Sequence, residues 1–271
     1  MTPSGGGRHH VFDRFFIIAG PCALEDDRLN LAVARELAGA ATDLGVPAIF
    51  KGSFDKANRT RFDSARGPGI EAGLAALERV RDATGLPVLT DIHEPGQAER
   101  AAKSVDALQI PAFLCRQTDL LTAAAATGLP VNVKKGQWMT PEGMAGAVDK
   151  LRRGGANEVA VTERGSAFGY GDLVVDMRSF ARIGEACACP AVFDATHSVQ
   201  RPGARLTGGK PEHTPALARA AVAAGCDGLF VETHPEPGSA PSDRATMLPL
   251  ARLRVLLDEI CRLREALDYD V

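Results

Sequence analysis

Eight short apolar runs of β-type composition, each starting on Pro, Phe, Ala, Glu or Gly and nearly all with polar side chains at or just after their C-terminal ends, alternate with Ala/Leu/Arg-rich segments. They are Phe15 to Pro21, Pro47 to Phe54, Pro87 to Glu94, Ala107 to Leu114, Pro130 to Gly136, Glu158 to Gly165, Ala191 to His197 and Gly228 to His234. Eight strand-plus-helix units in 271 residues have the size and rhythm of an α/β protein built as a single (β/α)8 TIM barrel. A doubly wound open sheet is the main rival, but no GxGxxG follows the first run. Amphipathic helices are expected from about Asp26 to Leu44 and from Leu248 to Leu267. No linker divides the chain, so residues 1–10 read as a disordered tail and 11–271 as one barrel domain.

Composition excludes several classes. A net charge of −3 with no basic stripe, and a single Trp, argue against nucleic-acid binding. No run approaches the roughly 20 apolar residues of a membrane span. The run FFIIAGPCA after RHH is too short and too interrupted, by Pro21, for a signal peptide. Six scattered cysteines without a CxxC pair fit reduced thiols, and the expected location is the cytoplasm.

In a barrel of this kind the site forms at the C-terminal ends of the strands. Closure sets the eighth strand beside the first, so Cys22, His197 and Glu232 end contiguous strands, and Asp243 follows on the loop after Glu232. A thiolate, an imidazole and two carboxylates form a mixed donor set suited to a divalent metal such as Fe, Zn, Mn or Co. His234, two residues after Glu232, lies on the same strand face and is the rival ligand. A second constellation is basic. Only seven of the 31 basic residues are Lys, yet Lys51, Lys56, Lys134 and Lys135 all fall at two strand ends, with Arg59 and Arg164 at the same expected mouth. Such a cluster in an acidic chain implies an anionic small molecule carrying phosphate or carboxylate.

The segments GPCALE, FKGSFDKANRT, TDIHE, QIPAFLCRQTDLL, NVKKGQ, TERGSAFGYGDLVVDMRS, FDATHSVQ and CDGLFVETHPEP occur in order from about Phe15 onward. Together they resemble the 3-deoxy-D-manno-octulosonate 8-phosphate synthases. The resemblance implies a transferase of lipopolysaccharide biosynthesis that condenses phosphoenolpyruvate with arabinose 5-phosphate and water, in a homotetramer. Metal-independent members carry Asn where Cys22 stands, so the resemblance implies the metal-dependent class, with Cys22, His197, Glu232 and Asp243 as ligands. It implies that Ser53, Lys56, Lys134 and Arg164 hold phosphoenolpyruvate. Lys51, Asp91, His93, Gln109, Pro111, Ala112 and Phe113 match other parts of the family site, and Asn58, Arg59 and Thr60 match the segment that takes the pentose phosphate. Arg116 matches a residue supplied by a neighbouring subunit.

The chemistry suits these residue types. Carbon 3 of phosphoenolpyruvate must attack an aldehyde, carbon 2 must capture water, and phosphate must leave. His93 and Asp91 are candidates for moving protons, with Lys51 and Asp243 beside them in the catalytic set. A metal either orients the aldehyde or activates the water. Three departures stand out: Gly52 where Ser or Ala is expected, Thr60 for Ser, and a short loop RPGARLTGGKPEHTP after His197 that bears on lid closure and acceptor choice. The alternatives are a 3-deoxy-D-arabino-heptulosonate 7-phosphate synthase using erythrose 4-phosphate, against which KANRT argues, and a non-catalytic barrel that binds a phosphorylated ligand.

Overall fold

A computed structural model describes residues 11–12, 14–59, 61–169, 171–201 and 208–267. The expected tail over residues 1–10, Thr60, and residues 202–207 of the loop after His197 lie outside the described residues.

Eight parallel strands close into a barrel: β1 Phe16–Ala23, β2 Ala48–Ser53, β3 Val88–Asp91, β4 Ala107–Ile110, β5 Val131–Lys134, β6 Val159–Glu163, β7 Ala191–Asp194 and β8 Gly228–His234. Each pairs with its neighbour in sequence, and β8 returns to β1 with Phe16 opposite Gly228 and Gly20 opposite Glu232. Eight helices cover the outside: α1 Asp27–Leu44, α2 Ile70–Thr84, α3 Pro95–Ala101, α4 Thr118–Ala126, α5 Ala145–Gly154, α6 Ser179–Cys187, α7 Thr214–Ala223 and α8 Leu250–Ala266. All eight expected runs are strands. The fourth is shorter than the sequence suggests, because Pro111 ends it and Ala112–Leu114 form a 3-10 turn.

Local chemistry accounts for the units. Pro47, Pro87, Pro130 and Pro190 stand immediately before β2, β3, β5 and β7, where a missing N–H breaks no ladder bond. Their carbonyls accept from Ile17, Phe50, Leu108 and Val161 on adjoining strands. Helix α1 starts at Asp26, whose carboxylate accepts from the Leu29 N–H at 2.8 Å, and stops at Gly45 in the left-handed region. Its buried stripe of Val33, Ala34, Leu37, Ala40 and Ala41 joins the apolar layer between strands and helices.

Alternation along each strand gives the barrel a second, inner core. Phe16, Ile18, Ile49, Leu89, Ala107, Ala160, Val192 and Phe230 fill its lower part, and Phe12 closes the bottom. The backbone N–H groups of Val11 and Phe12 donate to the Glu158 carboxylate, both at 3.1 Å, which anchors that plug. Above it the inner side chains turn polar. Asn132 donates to Gln109 Oε1 at 3.0 Å, and Thr162 donates to Asn132 Oδ1 at 2.7 Å.

Candidate active site

Strand β1 changes register between Ala19 and Cys22. There the backbones of β1 and β2 come so close that a Cβ on Gly20 would lie 1.8 Å from the Lys51 carbonyl oxygen. The bulge turns Cys22 toward the mouth with φ 70°, and Asp243 sits at φ 49°. Among the described residues, three non-glycine positions have positive φ, and these are two of them. Strain of this sort persists where surrounding structure holds it, and functional sites are where it collects.

Cys22, Glu232 and Asp243 bring one donor atom each to within 4.8 Å of one another. The Cys22 thiol donates to Asp243 Oδ2 at 3.1 Å. Burial, and then the Glu232 carboxylate, push that thiol well above its usual range against the opposing pull of the Lys56 ammonium. Glu232 Oε2 is buried with no hydrogen-bond partner, and His197 Nε2 lies 3.7 Å from it. The other His197 nitrogen, Nδ1, is 2.8 Å from Asp194 Oδ2. Asp194 is fully buried; burial opposes its charge, but His197 and Lys134 outweigh it and hold the carboxyl far below its ordinary range. As an anion Asp194 accepts from Nδ1–H, which leaves Nε2 facing the orphaned oxygen. The donor set therefore fits a divalent metal: an unpaired buried carboxylate oxygen, a thiol that donates to a carboxylate, and an oriented imidazole. His197 is at the edge of this set, beside Glu232 and outside the 4.8 Å group.

The cations line the same mouth. Lys51 Nζ is 2.9 Å from Asp91 Oδ1 and donates to Ser53 Oγ at 2.7 Å. Asp91 Oδ2 is 3.2 Å from His93 Nε2, and His93 Nδ1 is buried without a partner. Burial opposes the Asp91 charge too, yet Lys51 and the His93 hydrogen bond keep that carboxyl well below its usual range. Lys134 Nζ pairs with Asp194 and lies 3.1 Å from the Phe230 ring centroid. Burial outweighs Asp194 and lowers the Lys134 ammonium to about 8. Half-buried Lys56 reaches in from the loop after β2. Although burial lowers its affinity for a proton, the surrounding Cys22, Glu232, Asp91 and Asp243 raise it well above the ordinary lysine range. Arg164 donates through Nη2 to Gln200 Oε1 at 3.0 Å, while its Nη1 is buried and unpartnered.

The model of the DAHP synthetase I family matches residues 9–267. The chain belongs to that family. Within it, relatives named 2-dehydro-3-deoxyphosphooctonate aldolase are similar along most of their length. The protein of Rhodopseudomonas palustris (strain BisB5) is 56% identical over 243 residues, 89% of this chain and 85% of the relative. That of Syntrophotalea carbinolica is 52% identical over 257 residues, covering 94% and 91%. That of a Synechococcus strain is 54% identical over 269 residues, covering 96% and 94%.

Set on this member of the DAHP synthetase I family, several sequence expectations change. His234 is no rival ligand: Nδ1 accepts from the Glu236 N–H at 2.9 Å and Nε2 sits 3.0 Å from Glu25 Oε1, so both nitrogens are committed. Lys135 leaves the cationic cluster. Strand alternation sends it to the opposite side from Lys134, where its ammonium is fully buried among Glu163 at 3.4 Å, the carbonyls of Gly136, Met139 and Gly165, and Ser166 Oγ. Gly52 does not face the cations either; a Cβ there would strike Leu24 Cδ2 at 2.4 Å, so the glycine makes room for Leu24. Arg59 is partly engaged, donating to Ser242 Oγ at 2.7 Å and to the Pro241 carbonyl at 2.9 Å. Asn58, Phe113 and Arg116 are exposed, Phe113 beside Trp138 with ring centroids 6.2 Å apart. Pro111 and Ala112 are half-buried at the rim, and Gln109 is buried in the polar layer.

Sequence reasoning also missed residues. Asp194 joins Lys134 to His197, and Gln200 and Ser242 touch Asp243. The spacing Asp194 to His197, three residues apart at a strand end, was the available signal for the first. Nothing local marks the other two.

Proposed function

We propose that this chain condenses phosphoenolpyruvate with arabinose 5-phosphate and water, forming 3-deoxy-D-manno-octulosonate 8-phosphate and inorganic phosphate, for lipopolysaccharide synthesis. What carries the reading is identity above 50% across most of the chain with relatives named 2-dehydro-3-deoxyphosphooctonate aldolase. The cations and carboxylates at one mouth support it.

The chain's own groups have these parts. Lys134, Arg164, Ser53 and Lys56 receive the phosphate and carboxylate of phosphoenolpyruvate, and the unpaired Nη1 of Arg164 offers a ready donor. Asn58, Arg59 and Thr60, with Pro111, Ala112 and Phe113 on the rim and Gln109 in the polar layer beneath it, receive the sugar phosphate. Carbon 3 forms the new bond to the aldehyde carbon, whose oxygen gains charge and takes a proton. Carbon 2, left cation-like, takes the oxygen of water before phosphate departs. The Lys51–Asp91–His93 chain stands where a proton can be moved, because His93 Nε2 is tied to Asp91 while Nδ1 remains free. Cys22, His197, Glu232 and Asp243 would hold a divalent metal of the Fe, Zn, Mn or Co type. When bound, it supplies Lewis-acid polarisation of an oxygen.

The same reading makes the protein a cytoplasmic homotetramer in which Arg116 completes a neighbour's site. Its exposure, the exposed pair Phe113 and Trp138, and six free buried cysteines support this. No helix of the described residues is long and apolar enough to cross a membrane.

Phosphate release assayed with each aldehyde, with and without chelator, tests the function. Turnover with arabinose 5-phosphate that stops on chelation is expected. Exclusive turnover of erythrose 4-phosphate would replace the acceptor, and silence with fresh Fe(II), Mn(II), Co(II) or Zn(II) would leave a non-catalytic ligand-binding barrel.

A further inference from the structure

Two hydrogen-bonded relays converge on Asp243, and each begins at an arginine with a nitrogen to spare. On one side Arg164 Nη2 donates to Gln200 Oε1 at 3.0 Å, and Gln200 Nε2 donates to Asp243 Oδ1 at 2.5 Å. On the other, Arg59 Nη1 donates to Ser242 Oγ at 2.7 Å, and the Ser242 hydroxyl donates to Asp243 Oδ2 at 2.7 Å. Both oxygens of the carboxylate are thus aimed by neutral side chains, and each neutral side chain is aimed by a cation from elsewhere on the mouth.

Neither arginine is exhausted by its relay. Arg164 Nη1 and Arg59 Nε are buried and unpartnered, and Arg164 as a whole is 6% exposed. A guanidinium is a rigid planar fork, so fixing one of its nitrogens orients the others. An anion that takes the spare N–H of Arg164 therefore fixes the plane of the guanidinium, with it the Gln200 amide, and with that Asp243. The positive φ of Asp243 gives this restraint something to hold, because the left-handed region is a minority conformation even for an aspartate, which tolerates it better than most side chains.

We propose that Gln200 and Ser242 are positioning residues that couple anion binding at Arg164 and Arg59 to metal binding at Asp243. The inference rests on the functional reading above for the identity of the anions and of the metal group. Coupling of this kind is reciprocal: whatever factor the anion gives to the metal's affinity, the metal gives to the anion's. Gln200 serves phosphoenolpyruvate and Ser242 serves the sugar phosphate. Direct attraction between anion and metal needs neither side chain, so the two origins separate by mutation.

The test is a Co(II) titration of the full-length, metal-stripped protein, followed by the thiolate-to-cobalt absorption band, with and without phosphoenolpyruvate or arabinose 5-phosphate. In the parent protein phosphoenolpyruvate should tighten Co(II) binding by about fivefold or more. Gln200→Leu should keep the band but reduce that factor to less than about twofold, the level of no effective coupling. Ser242→Ala should keep the phosphoenolpyruvate response and lose the response to arabinose 5-phosphate, and Ser242→Thr should restore it. A merely structural role would lower the thermal midpoint and leave the ratios alone. Gln200→Met replaces the leucine variant if that fails to fold. Full coupling in Gln200→Leu, or calorimetric binding of phosphoenolpyruvate to the parent with no change in Co(II) affinity, would overturn the relay while leaving the metal site standing. Absence of the thiolate band in the parent would overturn both.

Discussion

The lower and upper halves of the barrel interior are built on the same eight strands and do opposite things. Below, Phe16, Ile18, Ile49, Leu89, Val192 and Phe230 pack under the Phe12 plug. Above, Lys51, Asp91, Lys134, Arg164, Asp194 and Glu232 are buried almost as deeply. Full burial of each large apolar side chain below contributes about 1.5–3 kcal/mol. Buried ion pairs above roughly break even against their lost hydration. The lower half therefore holds the fold, and the upper half is kept in place by it. Lys134 and Lys135 repeat the contrast within one dipeptide: the first turns in to the mouth, and the second turns out to tie the loops after β5 and β6 together.

The division can be broken from either side. The largest effect is expected at Cys22→Ala, which should abolish both bound metal and turnover; elemental analysis with a phosphate-release assay checks it, and full activity in a stripped preparation would remove the thiolate from the site. Cys22→Asn should leave partial metal-free turnover. Phe16→Ala, in the lower half, should cost about 3–5 kcal/mol in denaturant unfolding while the folded fraction still binds Co(II). Lys135→Ala leaves Glu163 buried without its cation and should cost about 3 kcal/mol of stability with phosphoenolpyruvate affinity unchanged. Lys134→Ala should in addition weaken phosphoenolpyruvate binding, by about 2 kcal/mol or more. Calorimetry on the two lysine variants would erase the distinction if they behaved alike. The smallest effect is in pH. Because burial brings Lys134 to about 8, its cationic form dominates below that pH and is lost above it. The kcat/KM for phosphoenolpyruvate should then fall as pH rises through 8, by up to about tenfold per unit. A flat profile to pH 10 would place that proton elsewhere.

Much of this was legible in the chain. The prolines before four strands, the Asp26 cap and the β-type runs are local signals, and they mark the units correctly. The polar strand ends marked the working mouth, since parallel closure sends all eight the same way. Where two residues both fell at a strand end, composition could not separate them. Lys134 and Lys135 look alike until the pleat assigns each a side, and Gly52 looks like a gap beside Lys51 until Leu24 is seen filling it. His234 kept its place as a ligand candidate only while Glu25 and the Glu236 amide were unknown.

The order of residues, through backbone propensity and apolar period, determined that this chain is a barrel and which rim carries its ionisable groups. Tertiary structure alone decided that a β1 bulge aims Cys22 at Asp243, that His197 comes to lie beside Glu232, and that two arginines reach Asp243 through Gln200 and Ser242. The reason is distance along the chain: these contacts join residues as many as 221 positions apart, and no local preference can encode an angle between side chains that meet only when the sheet closes.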